Sequence, residues 1–162
     1  MILETHGNLV TEFLAGEVDV LIHSVNCQGK MNKGLGKQIR NAIPVVYQEY
    51  VSLYTTLANK KRLLGTAQFV HLETFSDPET YRPKDVVNLF AQYYYGEGTM
   101  QTNHDAFEKA CQVVANYYPV GTRLGIPFKI GCGLGGGNWD IVRAILERVF
   151  REHVVYIYIY TP

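Results

Sequence analysis

Four short runs of β-branched and aromatic residues predict β-strands. They cover residues 18–25 (VDVLIHSV), 86–92 (VVNLFAQ), 123–130 (RLGIPFKI) and 154–160 (VVYIYIY), and a weaker run covers residues 66–72 (TAQFVHL). Nearly continuous apolar runs of this length are typical of strands that are covered on both faces of a sheet.

Between these strands, apolar residues recur at the three- and four-residue spacing of helices that pack on a sheet. Residues 139–150 show this spacing behind a predicted N-cap at Asn138, and residues 104–118 show it behind Asn103. Pro44 is expected to open a third helix. Strands that alternate with helices predict an α/β fold, a three-layer sandwich around a mostly parallel or mixed sheet.

Length, charge and cysteine content restrict the class of protein. The 162 residues suit a single domain, residues 1–162, that buries its own core. Fifteen basic and fifteen acidic residues leave no formal net charge, so a charged ligand has to be held locally. Three well-separated cysteines without a C-x-x-C pattern, no apolar leader and no run of about 20 apolar residues lead us to expect a cytoplasmic protein with no membrane partner.

Two glycine-rich loops follow predicted strands and run into predicted helices. The first is residues 26–36 (NCQGKMNKGLG) and the second is residues 131–137 (GCGLGGG). Backbone N–H groups in such turns, together with a helix N-terminus, form a cradle for phosphate oxygens. Neither loop fits the nucleoside-triphosphatase or dinucleotide fingerprint. Glycine turns also arise for steric reasons, but two in one small domain favour a ligand that carries phosphate.

Side chains beside these loops admit both a functional and a structural interpretation. His23, inside an apolar strand, is either an acid or base or a hydrogen-bonded core residue. Asn26, at the end of that strand, is placed to contact a sugar hydroxyl. Lys33 either meets a phosphate or is a solvated surface charge, and a tyrosine of residues 154–160 either packs in the core or stacks on a base.

These residues together resemble the macrodomain family, which binds ADP-ribose. Gly7-Asn8-Leu9 resembles the family's Gly-Asp-Ile/Leu segment near adenine, residues 21–26 (LIHSVN) resemble its V-N-x-x-N strand, and residues 31–39 (MNKGLGKQI) resemble its distal-ribose loop. Residues 126–139 resemble its diphosphate loop. For these likenesses we name residues 26–36 the ribose loop and residues 131–137 the diphosphate loop. The resemblance spans nearly the whole chain and implies a three-layer α/β/α sandwich with a mixed central sheet.

The resemblance also implies the ligand and its contacts. ADP-ribose or a derivative is the expected ligand, ADP-ribosylated protein or nucleic acid the expected partner, and no cofactor or metal is expected. The implied ligand-binding residues are Asn8, Leu9, Ser24, Lys33, Gly34, Leu35, Gly36, Gly131, Cys132, Gly133, Leu134, Gly135, Gly136, Gly137 and Tyr160.

Within the family, the GCGL segment is most similar to a branch with three chemistries. These are the terminal ADP-ribose-glutamate hydrolase, antitoxins that remove ADP-ribose from DNA, and ADP-ribose-1''-phosphate phosphatases. The glutamate hydrolase uses a lysine and an aspartate, but here the lysine position falls on Ala91 or Gln92 and the aspartate position on Gly135. A lysine-adduct mechanism is therefore not expected, and Gly135→Asp is expected to restore a carboxylate.

The segment IHSVNCQG, residues 22–29, reproduces the phosphatase signature I-H-S-x-N-C-x-G. The resemblance therefore implies hydrolysis at C1'' of the distal ribose, with ADP-ribose-1''-phosphate as the leading substrate. His23 and Asn26 are the expected catalytic residues, His23 as an acid or base with a near-neutral pKa and Asn26 on the ribose hydroxyls. Two alternatives stay open: removal of ADP-ribose from protein or nucleic acid, and a non-catalytic reader or scavenger of ADP-ribose.

Overall fold

The structure is a computed structural model, and it describes residues 1–72, 82–96, 100–133 and 135–160. Within these residues the strands are β1 Ile2–His6, β2 Val20–Asn26, β3 Ala67–His71, β4 Asp85–Gln92, β5 Arg123–Pro127 and β6 Val154–Ile159. The helices are α1 Leu9–Leu14, α2 Gly34–Ala42, α3 Pro44–Thr56, α4 His104–Tyr117 and α5 Trp139–Val149, with a 3-10 turn at Lys60–Leu63.

The six strands form one sheet in the order β1-β6-β5-β2-β4-β3. Every neighbouring pair is parallel except β3 and β4, which are antiparallel. The mixed sheet predicted from the sequence is therefore confirmed. The carboxyl ends of the five parallel strands meet at one edge, where α/β sheets bind their ligands.

Helices cover both faces of the sheet, which gives the predicted three layers. Helices α4 and α5 pack on one face, where Phe107 and Leu146 are buried. Helices α1, α2 and α3 cover the other face, where Phe13 and Tyr50 are fully buried. The central strands β2 and β4 are thus shielded from water on both sides, which explains their continuous apolar character.

Several predicted boundaries are confirmed by hydrogen bonds at the helix ends. The Asn103 side chain accepts a hydrogen bond from Ala106 N, and the Asn138 side chain accepts from the first-turn amides of α5. Pro44 is the first residue of α3. None of the helices in the described ranges has the length and apolar character that a membrane crossing demands.

Some boundaries differ from the prediction, and some short elements were not predicted. Strand β5 ends at Pro127 instead of residue 130, because the chain turns there with Ile130 N donating to Pro127 O. Helix α2 begins at Gly34, inside the segment that the sequence assigned to the first glycine loop. Strand β1 and helix α1 were missed, since both are short and β1 is a partly exposed edge strand that buries little apolar surface.

Candidate ligand-binding site

A cavity of about 520 Å³ lies at the carboxyl ends of β2, β4 and β5. This volume is within the usual range of small-molecule sites. The wall contains parts of both glycine loops: Gly34, Leu35 and Gly36 from the ribose loop, and Gly131, Gly133 and Gly135 from the diphosphate loop. The two loops that the sequence singled out therefore face the same space.

The diphosphate loop offers backbone N–H groups to this cavity. Gly136 N donates to Gly133 O at 3.1 Å and Gly137 N donates to Gly131 O at 2.9 Å, so these two glycines close the loop on itself. Among the described residues, the N–H groups of Gly131, Gly133 and Gly135 have no backbone acceptor. These three cavity-lining glycines are the ones that can bind an anion.

The N-terminus of α2 adds donors to the cavity wall. Helices α1, α4 and α5 each have an asparagine N-cap, whereas α2 begins after Lys33 and has no side-chain cap. The first N–H groups of a helix need an acceptor, and the helix dipole makes an anion a favourable one. Gly34 and Leu35 place this uncapped end in the cavity wall.

The charges around the cavity have one sign. Lys30, Lys33 and Lys129 line it, and no aspartate or glutamate does so among the described residues. Although the chain has no net charge, the charged side chains that line this cavity in the described residues are therefore all cationic. Lys129 has φ +57°, the left-handed region that side chains other than glycine rarely adopt, so its backbone is strained beside the cavity.

His23 lies in the wall but is almost completely buried, with 2% of its surface exposed. Its Nε2 lies 2.5 Å from Asn88 Oδ1, and Asn88 Nδ2 donates to Gln68 Oε1 at 2.9 Å. Burial lowers the pKa of His23 to about 4, against the smaller opposing effect of the Asn88 hydrogen bond. The expected near-neutral pKa is therefore wrong, because β2 is covered on both faces and a charged imidazole would be desolvated there.

Asn26 uses most of the hydrogen-bonding capacity of its side-chain amide to hold the ribose loop in shape. Its Oδ1 accepts from Tyr50 OH at 2.7 Å and from Gln28 N at 2.9 Å, and its Nδ2 donates to Lys30 O at 2.8 Å. An amide nitrogen has two hydrogens. One N–H of Asn26 thus stays available for a ribose hydroxyl, while the rest of the side chain holds the loop.

Ser24 contributes a buried hydroxyl that has no hydrogen-bond partner among the described residues. Its side chain lies in the cavity wall next to the diphosphate loop, about 4.0 Å from the position of a β-carbon on Gly131. Buried hydroxyl groups almost always have a partner in folded proteins. A bound ligand or water is the natural partner for Ser24.

Several residues that the resemblance implied lie away from the cavity wall. Asn8 caps α1 through Thr11 N and also accepts from Gln38 Nε2, so its carbonyl is occupied within the fold. Leu9 is buried in the core, and Tyr160 is 61% exposed. Adenine contacts by these three residues remain predictions.

The other described residues of the diphosphate loop support the shape of the loop. Cys132 packs against the core, and its Sγ donates to Ile130 O at 3.4 Å. Burial raises the pKa of its thiol. Gly136 and Gly137 close the loop as described above, and Leu134 lies outside the described residues.

Two residues are candidates for the lysine position of the related hydrolase. Ala91 is fully buried in the core, whereas Gln92 lines the cavity and donates from Nε2 to Tyr94 O at 2.9 Å. Gly135 has no room for a carboxylate. A β-carbon there would lie 2.5 Å from Thr102 Oγ1 and 2.9 Å from Gly131 O, so Gly135→Asp would add its carboxylate only with a shift of these neighbours.

Sequence reasoning missed several residues of the site. Lys129 and Phe128 line the cavity because β5 ends three residues earlier than predicted. Tyr95 and Gly96 line it from the segment after β4. A tyrosine-glycine segment directly after a central strand was a usable signal for these two, whereas the contribution of Thr102, described below, depends on contacts distant in sequence.

No family model matches the chain. A curated relative, a DNA ADP-ribosyl transferase-DNA ADP-ribosyl glycohydrolase fusion protein of Thermosipho africanus, is 26% identical over 166 aligned positions, which cover 90% of this chain. The chain spans only 39% of the length of that relative.

Solved structures support the same comparison. The macrodomain of Mycobacterium tuberculosis DarG is 22% identical with a TM-score of 0.73, and the match covers 100% of this chain and 98% of DarG. Thermosipho africanus DarTG in complex with ADP-ribose is 21% identical with a TM-score of 0.73, covering 98% of this chain and 41% of DarTG. These likenesses confirm the resemblance drawn from the sequence: the chain has the macrodomain fold.

Proposed function

We propose that this chain binds ADP-ribose and that its diphosphate lies between the ribose loop and the diphosphate loop. The carrying observation is the concentration of positive groups at one cavity, made of three lysines, the uncapped N-terminus of α2 and the N–H groups of alternate loop glycines. A diphosphate carries two negative charges that such a cradle stabilises. The solved DarTG complex with ADP-ribose supports the choice of ligand.

The polar groups of the cavity wall favour one orientation of the ligand. With the diphosphate between the loops, the distal ribose lies toward the carboxyl end of β2, where Ser24 and Asn26 have polar groups to offer. The Ser24 hydroxyl and the remaining Asn26 N–H would then contact ribose hydroxyls or a water. His23 is a neutral part of this wall at physiological pH, since its pKa is about 4.

An amide-shift titration tests the binding proposal. Uniformly ¹⁵N-labelled protein is titrated with ADP-ribose, and the amide signals of Gly131, Gly133, Gly135 and Leu35 are followed. These signals should move in a saturable manner, since their N–H groups would gain phosphate acceptors. Saturable shifts confined to the opposite edge of the sheet, or no shifts, would contradict the proposal.

A second proposed function is removal of ADP-ribose from DNA. Beside the cavity, Tyr94 and Tyr95 are more than half exposed, and Lys61 Nζ lies 5.6 Å from the centre of the Tyr93 ring. Exposed aromatic rings next to lysines bind single-stranded nucleic acid by stacking and charge attraction. The name of the curated relative, a fusion protein, includes a DNA ADP-ribosyl glycohydrolase. It supports ADP-ribosylated DNA as the first substrate to test.

The hydrolysis would break the bond between C1'' and its substituent. Water would supply both the new hydroxyl on C1'' and the proton that leaves with the substituent. No covalent step through a lysine is proposed, because neither Ala91 nor Gln92, the two candidates for that position, is a nucleophile. Ser24 and Asn26 would hold the ribose and the attacking water in line, so orientation would supply much of the rate.

Turnover assays separate the candidate substrates. The protein is incubated with ADP-ribosylated single-stranded DNA, ADP-ribosylated protein and ADP-ribose-1''-phosphate, while free ADP-ribose and phosphate are measured. Release of ADP-ribose from DNA alone supports the second proposal, and release of phosphate supports the phosphatase implied by the IHS segment. Binding of ADP-ribose without any turnover makes the chain a reader.

A further inference from the structure

We propose that Thr102 is a positioning residue that sets the shape of the diphosphate loop for an anionic ligand. The proposal rests on the proposed binding of ADP-ribose and adds a residue that does not itself touch the ligand. Thr102 lies just before α4 and is 3% exposed. It is absent from the cavity wall, but it contacts the loop from behind.

Thr102 and its neighbour bind two carbonyl groups of the loop. Thr102 Oγ1 donates to Gly131 O at 2.6 Å. The backbone N–H groups of Gln101 and Thr102 both donate to Gly135 O, at 2.7 and 3.0 Å. Carbonyl oxygens carry partial negative charge and repel phosphate, so donors behind the loop hold these oxygens away from an anion. The N–H groups of Gly131 and Gly135 are left without a backbone acceptor among the described residues.

Packing against Thr102 also explains part of the glycine content of the loop. A β-carbon would lie 2.5 Å from Thr102 Oγ1 if placed on Gly135, and 3.2 Å from Thr102 Cγ2 if placed on Gly137. Neither glycine has a positive φ, so backbone conformation does not demand glycine at these two positions. Glycine is needed at these two positions because of close contact with Thr102 and with Gly131 O.

Thr102 is itself fixed to the sheet. It forms a bridge with Gln92 at the end of β4, and Asn103 N donates to Ala91 O at 2.7 Å. Farther along the loop, Asn138 N donates to His104 Nε2 at 3.1 Å. The segment before α4 therefore connects the end of β4 to the diphosphate loop. The Thr102 hydroxyl is the group of this segment that contacts Gly131.

Two substitutions isolate the hydroxyl. Thr102→Val keeps the volume and removes the donor, whereas Thr102→Ser keeps the donor. Thr122→Val is the matched control, because Thr122 is similarly buried, at 5%, before the amino end of β5 and far from the cavity. Affinity for ADP-ribose is measured by calorimetry, the ³¹P spectrum of bound ADP-ribose reports the diphosphate environment, and thermal unfolding reports stability.

We expect Thr102→Val to weaken ADP-ribose binding roughly tenfold and to move the ³¹P signals, because one buried hydrogen bond contributes about this much. Thr102→Ser should bind within about twofold of the wild type, and Thr122→Val should lose stability without a ³¹P change. Unchanged affinity in Thr102→Val, or equal losses in the Val and Ser variants, would overturn the positioning role while the binding proposal stands. Failure of the wild type to bind ADP-ribose would instead refute the proposed function, and this inference with it.

Discussion

His23 Nε2 lies 2.5 Å from Asn88 Oδ1, in the covered centre of the sheet. Because Asn88 Nδ2 donates to Gln68 Oε1, the amide oxygen of Asn88 is the group turned toward the imidazole. The Nε2 atom of a neutral His23 therefore carries the hydrogen and donates it. Through Gln68 of β3, this pair links the cavity wall to β3. It makes His23 a fixed, uncharged group of the site.

The first prediction concerns stability against pH. The pKa of His23 is about 4 in the folded chain and 6.5 in the unfolded one, so the unfolded chain binds more protons between these values. The contribution of His23 is complete above pH 6.5 and is lost as the pH falls to 4, which amounts to about 3 kcal/mol of unfolding free energy. Urea unfolding at a series of pH values should show this slope, and His23→Gln should lack it; equal slopes would contradict the buried neutral state.

A second prediction separates the backbone strain of Lys129 from its charge. Lys129→Gly relieves the left-handed conformation and should raise the unfolding free energy by up to about 1 kcal/mol, while it weakens ADP-ribose binding about fivefold through the lost charge. Lys129→Ala keeps the strain and loses the same charge, so it should bind equally weakly without gaining stability. Thermal unfolding and calorimetry measure both. Full affinity in either variant would exclude Lys129 from the site.

A third prediction compares two glycines of the diphosphate loop. Gly135→Ala forces a β-carbon against Thr102 Oγ1 and Gly131 O, and should cost about 1–3 kcal/mol of stability. Gly133→Ala is the control, because a β-carbon there has nothing within 4 Å and φ is not positive. Chemical denaturation of both variants gives the comparison. Similar losses in the two would show that close packing is not the reason for Gly135.

A fourth prediction concerns the aromatic rim, by which we mean the exposed Tyr94 and Tyr95 beside the cavity. Tyr94→Ala should weaken binding of ADP-ribosylated single-stranded DNA by about tenfold, the lower range for loss of one stacked base, and leave free ADP-ribose unaffected. Tyr117→Ala is the control, since Tyr117 is similarly exposed at the carboxyl end of α4. Fluorescence anisotropy with labelled DNA measures the difference. If both variants bind the DNA as the wild type does, the rim has no part in recognition.

Much of the fold could be predicted because its signals are local. The apolar runs of the central strands, the asparagine caps before α4 and α5, and Pro44 at the start of α3 each act over a few residues. The two glycine loops could likewise be placed at strand ends. Strand β1 carries no comparable signal, since an edge strand that is partly exposed needs no continuous apolar pattern.

The remaining features depend on contacts between distant parts of the chain. The low pKa of His23 follows from helices on both faces of β2, and a strand sequence does not give the depth of burial. The occupied carbonyl of Asn8 depends on Gln38. The glycines of the diphosphate loop were expected to serve either close ligand approach or a steric need. Gly133 faces the open cavity, while Gly135 and Gly137 make room for Thr102.

Calorimetric titration of the wild-type chain tests whether the cavity holds the diphosphate of ADP-ribose. ADP-ribose is titrated beside AMP and ribose 5-phosphate, which each lack the diphosphate. We expect one-to-one binding of ADP-ribose at least tenfold tighter than either, weakened by added salt because lysines contribute. No saturable heat with ADP-ribose, or equal affinity for AMP, would contradict it.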